Sequence, residues 1–229
     1  MTRRTLPGAG STARRTLPAG GPTARRTPPA PGRLSRGPVT SSSGVPTARR
    51  VATLAPWQPS DAEALVAAVA ESPDLVLQLG GGAVPSVDAA RELIESQLVQ
   101  SADPTWAFAV RVDGRAVGHV ALAHVEHRHA TAWVSYWLTA SERGRGLATR
   151  AVASVARFAF DDLGLFRLEL GHRVNNPASC RVAVGAGFAA EGVERAKLRY
   201  GDERFDVETH ARLASDADPG VALLTLNAG

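Results

Sequence analysis

The chain has 229 residues with 26 lysines and arginines against 22 aspartates and glutamates, and 44% of it is apolar, which suits one ordinary domain with an appendage. A single cysteine, Cys180, excludes a disulfide framework, and no apolar run approaches the ~18 residues of a membrane span. Both features fit a cytoplasmic protein with no membrane partner, as a monomer or a homodimer.

The formal charge of +4 sums two unlike parts. Residues 1–50 hold ten arginines and no carboxylate, so the remainder carries a net −6. A near-repeat runs through this segment as "TRRTLP" at Thr2, "ARRTLP" at Ala13 and "ARRTPP" at Ala24. With so much Pro, Gly, Ser and Thr it cannot offset the entropy of ordering itself, and residues 1–50 are expected to form a disordered tail. Arginines neutralise phosphates, so a nucleic-acid-binding arm is one use, although no aromatic residue is interleaved for stacking. A targeting signal fits less well, because prolines and further arginines interrupt the apolar or amphipathic stretch it needs. The composition favours a dispensable extension, such as one from a translation start assigned too far upstream.

From Val51 the texture changes. "RVATLAPW" reads as a strand, and Ser60 with Glu63 has capping-box spacing for a helix whose apolar face is Leu65, Val66 and Val69. "LGGGAVP" is a loop. Ser86 then caps a second helix running to about Gln100, with Ala90, Leu93, Ile94 and Leu98 inward. "TWAFAVRVDGRAVGHVALAHV" predicts a hairpin around Asp113-Gly114, a type I′ turn signal. "ATAWVSYWLTA" is a third strand of that group, rich in aromatic and β-branched residues. A helix is expected over Leu147–Leu163, a strand in "LFRLELGHRV", a short helix in "NPASCRVAVGA", and two closing strands around Gly201-Asp202. The order β-α-α-β-β-β-α-β-α-β-β is a mixed α/β domain with a mixed sheet over residues 51–215, and residues 216–229 read as a flexible tail.

The stretch "SERGRGLATRAV", residues 141–152, carries the chemistry. Backbone N–H groups at a helix start have no internal partner, and the aligned peptide dipoles add partial positive charge there. Glycines let an anion approach those groups without a Cβ in the way, and Arg143 and Arg145 add full charges. The stretch lacks the lysine of a Walker loop and the third glycine of the dinucleotide fingerprint. A solvated turn remains the plain alternative for these residues alone.

In context, Arg143-x-x-Gly146-x-Ala148 between an aromatic strand and a long helix resembles the acetyl-coenzyme A loop of the GNAT superfamily of N-acetyltransferases. "YWLTASERGRGLATRAV", "LFRLELGHRVNNPAS", "GAGF" and "EG", in order and in spacing over residues 51–215, resemble the Rim-type branch that acetylates ribosomal-protein N-termini. The resemblance implies a GNAT fold, acetyl-CoA as donor, and an amine acceptor that is a protein N-terminus or a small molecule such as an antibiotic or metabolite. A catalytically idle coenzyme- or RNA-binding module is the reading from another class. By the same resemblance the amides of Gly144, Arg145, Gly146, Leu147, Ala148 and Thr149, with Arg143 beside them, cradle the pyrophosphate. The backbone at Trp137 and Leu138 pairs with the pantetheine, Asn176 contacts its arm, and Ser179 returns a proton to the leaving thiolate. Asn176-Pro177 is equally a helix start needing no ligand, and Ser179 is equally a helix-start serine bonded to backbone.

The general base stays unassigned among Glu126, His124, His172 and Glu194, because the strand after Gly-Phe reads "AKLRY", with Lys197 and Leu198 where some Rim-type enzymes have a carboxylate. Ser135 stands where relatives have glycine. No metal is expected: His124, His127 and His129 crowd one turn, but strand alternation scatters them over both faces. Cys180 is expected to be buried, and Trp106, Phe108, Trp133 and Trp137 to belong to the sheet core.

Overall fold

A computed structural model describes residues 50–79, 84–99 and 105–227. The expectations for residues 1–49 and for the centre of the glycine loop at 80–83 lie outside the described residues.

The elements are β1 (Ala52–Pro56), α1 (Ala62–Glu71), α2 (Leu75–Gln78), α3 (Val87–Leu93, continued by a π-helical stretch Ile94–Val99), β2 (Trp106–Val112), β3 (Arg115–Glu126), β4 (Thr131–Leu138), α4 (Leu147–Asp161), β5 (Arg167–Arg173), α5 (Pro177–Gly185), β6 (Ala189–Tyr200), β7 (Glu203–Leu213) and β8 (Thr225–Leu226). One sheet takes them in the order β6-β7-β5-β4-β3-β2-β1-β8. Asp113 and Gly114 both have positive φ, 50° and 84°, as a type I′ hairpin turn requires.

Alternation along the strands sorts the core onto two faces. Phe108 and Val110 of β2 join Val152 and Val155 of α4 in one cluster, which also takes in Leu168 and Phe188. Ala109, on the opposite face, joins Trp57, Leu65, Leu75, Ile94 and Trp137 in the other. Each fully buried aliphatic side chain contributes about 1.5–3 kcal/mol, so the α4 stripe alone fixes that helix against the sheet.

The parallel ladder between β4 and β5 is short. It pairs only Thr131 with Arg167, Ala132 with Leu168 and Trp133 with Glu169. Beyond these residues β4 continues to Leu138 along β3 and β5 to Arg173 along β7 without pairing with each other, so the sheet forks at its centre.

Three boundaries differ from expectation. Arg50 belongs to the domain and not to the tail: its guanidinium bonds both oxygens of Glu142 (2.8 and 3.1 Å) and Asp113 (3.2 Å). The first helix is not capped by Ser60 and Glu63. The Gln58 amide donates to Asp61 Oδ2 (2.9 Å) at a short 3₁₀ turn, and Arg111 pairs with the same carboxylate. The C-terminal segment is not a free tail either. Leu224 is buried, its amide donates to Ser154 Oγ (2.8 Å), and Thr225–Leu226 pair in parallel with Thr53–Leu54. The open edge of β1 and the flank of α4 supply the partners that a reading of local composition omits.

Candidate coenzyme cleft

A cleft of about 350 Å³ opens at the fork, lined by Tyr136, Trp137 and Leu138 of β4, by Arg143, Gly144 and Gly146–Thr149, and by Asn176, Ser179 and Arg181 at α5. Of the residues expected there, Arg145 is absent from the lining; its guanidinium turns back to Glu142 Oε2 (3.3 Å).

The turn Gly144–Gly146 is shaped by backbone conformation. Gly144 and Gly146 have φ of 78° and 73°, and a Cβ added at either would meet nothing within 4 Å. Glycine is therefore demanded by the left-handed backbone and not by crowding. Gly146 is the N-cap of α4, and the first amide of the run with an acceptor is Arg150, bonded to the Gly146 carbonyl (3.1 Å). Among the described residues, the amides of residues 144–149 have no acceptor. They stand at the positive end of a 15-residue helix.

The outer side of the turn, by contrast, is tied down. Ala140 N donates to Ser72 Oγ (2.8 Å) and Ser141 N to Glu71. Glu142 is buried between Arg50 and Arg145. Arg143 divides its guanidinium between the Leu138 carbonyl (2.9 Å) and Asp74 (3.0 Å). The chain is thus held in place by contacts behind the donors, which leaves the donors themselves bare.

Strand β4 faces the fork with alternate peptide groups. Thr139 N donates to Val117 O (2.9 Å), so Thr139 and Trp137 bond toward β3, and the peptide groups of Tyr136 and Leu138 point to the open edge. The strand-edge expectation for Trp137 and Leu138 shifts by one residue: Trp137 lines the cleft, but its peptide group is committed to β3. Its ring lies in the opposite core beside Trp57 and His119.

Across the fork, Asn176 Oδ1 accepts from Ser179 N (3.2 Å), which is the cap expected of Asn-Pro, and both side chains border the cleft. The Tyr136 hydroxyl approaches the Ser179 carbonyl at 3.5 Å. Burial raises the Tyr136 phenol above its ordinary value, so it stays protonated at neutral pH. Tyr136 is a cleft residue missed in the sequence, because only the departure of β5 exposes it.

Residues 52–189 match the family model described as an acetyltransferase (GNAT) domain. The chain belongs to the GNAT acetyltransferase family. It is 28% identical over 106 residues to a ribosomal-protein-serine acetyltransferase of Escherichia coli K12, covering 46% of this chain and 59% of that one. It is 29% identical over 122 residues to a spermidine N(1)-acetyltransferase of the same organism, covering 51% and 66%. The chain therefore spans less than two thirds of the length of these relatives. A crystal structure of a probable acetyltransferase superposes with a TM-score of 0.64 at 25% identity, covering 71% of this chain and 93% of that one.

The polar residues considered as bases lie elsewhere in this GNAT domain. Glu126 accepts from the amides of Arg128 and His129 (both 2.8 Å) in an exposed turn, and Glu194 pairs with Lys197. His124, His127 and His129 are exposed. His172 is buried beside His210 and Glu208. The aromatic set divides: Phe108 and Trp137 are core, Trp106 lies half-exposed against Phe158, and Trp133 stacks under the Lys197 ammonium. His119 is a further buried polar residue without a sequence signal. Trp57 Nε1 donates to its Nδ1 (3.0 Å), and burial pushes its pKa down to about 4. No described helix is long and apolar enough to cross a membrane.

Proposed function

We propose that this chain transfers the acetyl group of acetyl-CoA to a primary amine, with the α-amino terminus of a protein as the preferred acceptor. The observation that carries this reading is the run of unbonded amides from Gly144 to Thr149 at the mouth of the β4–β5 fork. Those amides and the helix dipole hold the pyrophosphate, with only the backbone of Arg145 taking part. Arg143 reaches the same anion by exchanging Asp74 for phosphate. The peptide groups of Tyr136 and Leu138 pair with the pantetheine as an added strand would, and Asn176 borders its path. Acetyl-CoA supplies the activated thioester.

A neutral amine attacks the thioester carbonyl, a tetrahedral intermediate forms, and the nitrogen gives up its extra proton to water. The C–S bond then breaks with the electron pair leaving on the thiolate, which takes up a proton. An α-amino group has a pKa of about 7.7–8.0 against about 10.4 for lysine, so a protein N-terminus needs little help from a base at neutral pH. Positioning and a backbone donor to the oxyanion supply most of the acceleration. Ser179 returns a proton to the thiolate, with Tyr136 the neighbouring donor. A small amine is the second acceptor reading, favoured by the likeness to the spermidine enzyme.

Thiol release from acetyl-CoA tests both. We expect release with peptides beginning in Ser or Ala and none with the same peptides N-terminally blocked. Release with spermidine alone would reassign the acceptor, and absence of acetyl-CoA binding would refute the whole reading. Ser179→Ala is expected to lower kcat about 10- to 100-fold, at the low end of general-acid effects, with KM for acetyl-CoA unchanged. Equal kcat would remove Ser179 from the mechanism.

A further inference from the structure

His172, Cys180, Glu208 and His210 each offer a ligand-capable atom, and the four atoms lie within 4.8 Å of one another. Two antiparallel strands and one helix bring them there. His172 pairs with Glu208 across β5 and β7, and His210 lies opposite Leu170, so the three share one face. Helix α5 packs over that face and contributes Cys180. The sequence separation of His172 and His210 is 38 residues, which conceals the grouping from any search for short metal motifs.

The hydrogen bonds around the cluster set its protonation. His172 Nδ1 lies 3.0 Å from the Arg173 carbonyl, and His210 Nδ1 lies 3.3 Å from the Phe188 carbonyl. A carbonyl only accepts, so in the tautomer that these contacts favour, Nδ1 carries the ring hydrogen and Nε2 is the nitrogen left for a ligand. Those two Nε2 atoms are 3.0 Å apart, and Glu208 Oε2 lies 3.2 Å from one and 3.3 Å from the other. In that tautomer three acceptor atoms face one another beside the Cys180 thiol, which donates to Glu208, with the two imidazoles only 4% and 0% exposed and Glu208 31% exposed. With no proton or cation between them, the two buried Nε2 lone pairs and the Glu208 oxygen repel one another. One proton bridges one pair at a time; a divalent cation satisfies all three.

We propose that His172, Cys180, Glu208 and His210 are the four ligands of a zinc site. Two imidazoles, a thiolate and a carboxylate are a borderline donor set that suits zinc. Tetrahedral zinc at its usual bond lengths places ligand atoms about 3.3–3.6 Å apart. The 3.0–3.3 Å separations among His172, His210 and Glu208 need a slight expansion, and Cys180 Sγ, at the outer edge of a set that spans up to 4.8 Å, must close in by a side-chain rotation. Each imidazole already donates its other N–H to a backbone carbonyl, the arrangement that orients metal-bound histidines. Four protein ligands leave no open position, which makes the role structural. The ion joins β5, β7 and the first turns of α5, immediately beside Ser179. The site stands independently of the acetyl-transfer reading; only its consequence for Ser179 rests on that reading.

The test uses the full chain without an affinity tag, stripped by chelator, checked for native circular dichroism, and titrated with zinc chloride and separately with cobalt(II). We expect saturable one-to-one zinc binding, a higher Tm with zinc, and a cobalt complex with intense thiolate-to-metal absorption. Cys180 is the only cysteine, so that absorption has one source, and Cys180→Ser removes it. His172→Gln combined with His210→Gln is expected to weaken zinc binding by more than about tenfold, the lower range of losing even an outer partner. A folded wild-type chain that binds no zinc holds a bridging proton instead, and the proposal fails. It fails equally if the cobalt complex shows no thiolate absorption, a result that needs no variant to fold.

Discussion

At the turn Gly144–Thr149 the groups facing inward are donors without acceptors among the described residues, whereas at the corner of β5, β7 and α5 two imidazole nitrogens and a carboxylate oxygen crowd together, with the Cys180 thiol beside them. The first sits at a helix N-terminus on an open cleft and suits a large anion. The second is small and largely buried, open to solvent only at Glu208 and Cys180, and suits a small cation. In both places the polypeptide around the groups is well tied, by Glu71, Ser72 and Glu142 behind the turn and by the two backbone carbonyls behind the imidazoles. The lesson is that unmet polar groups inside an otherwise satisfied frame mark the sign of the ligand, since native proteins rarely leave such groups unpaired.

The sharpest way to break the anion half of this comparison is Gly146→Glu. Its φ of 73° is costly for a side chain, by roughly 1–2 kcal/mol, and its carboxylate meets the phosphate. Acetyl-CoA Kd is expected to rise by at least ~100-fold, about 2.7 kcal/mol, in calorimetric titration. Gly146→Asn, which tolerates the left-handed region and adds no charge, is expected to lose less than about tenfold. Equal losses in the two variants would mean strain alone is at work.

A second outcome concerns His119, whose buried neutral ring contrasts with the paired imidazoles of the corner. Its folded pKa of about 4 lies below the ordinary 6.5, so the unfolded state binds more protons between those values. Stability is therefore complete above pH 6.5 and declines as pH falls toward 4, by up to about 3 kcal/mol. Urea unfolding across that window checks it. His119→Gln, whose amide oxygen still accepts the Trp57 N–H, is expected to remove this part of the decline.

Arg50→Ala tests the outer frame of the turn. Glu142 keeps only Arg145, and Tm is expected to fall by about 3–6 °C, while acetyl-CoA affinity changes less than about threefold. A large loss of affinity would show that Arg50 acts on the ligand directly. The smallest effect is expected for Asp74→Asn. Freed from its carboxylate partner, Arg143 turns to phosphate, and acetyl-CoA binds about two- to threefold tighter at low salt, an advantage that high salt removes.

How much of this was legible depends on sequence distance. Gly144, Gly146 and the start of α4 are contiguous, so turn chemistry and helix polarity could be read directly from "RGRGLAT". The β2–β3 hairpin and the Ser86 cap are local for the same reason, and both appear where expected. Arg50 and Leu224 escaped because their partners, Glu142 and Ser154, lie 92 and 70 residues away in the chain. The backbone of Leu138 was expected at the strand edge, but Tyr136, and the loss of the Trp137 peptide group to β3, became visible only once β5 parted from β4, since strand alternation gives a face and not a neighbour. The corner of His172, Cys180, Glu208 and His210 required the register of β5 on β7, which no local pattern encodes.

The central claim is that the bare amides of the glycine turn bind the coenzyme. Amide chemical shifts of the isotope-labelled chain, followed through an acetyl-CoA titration, address it residue by residue. The largest shifts, with slowed hydrogen exchange, are expected at Gly144, Gly146, Leu147, Ala148 and Thr149. Saturable binding that leaves those five amides unmoved would contradict the account.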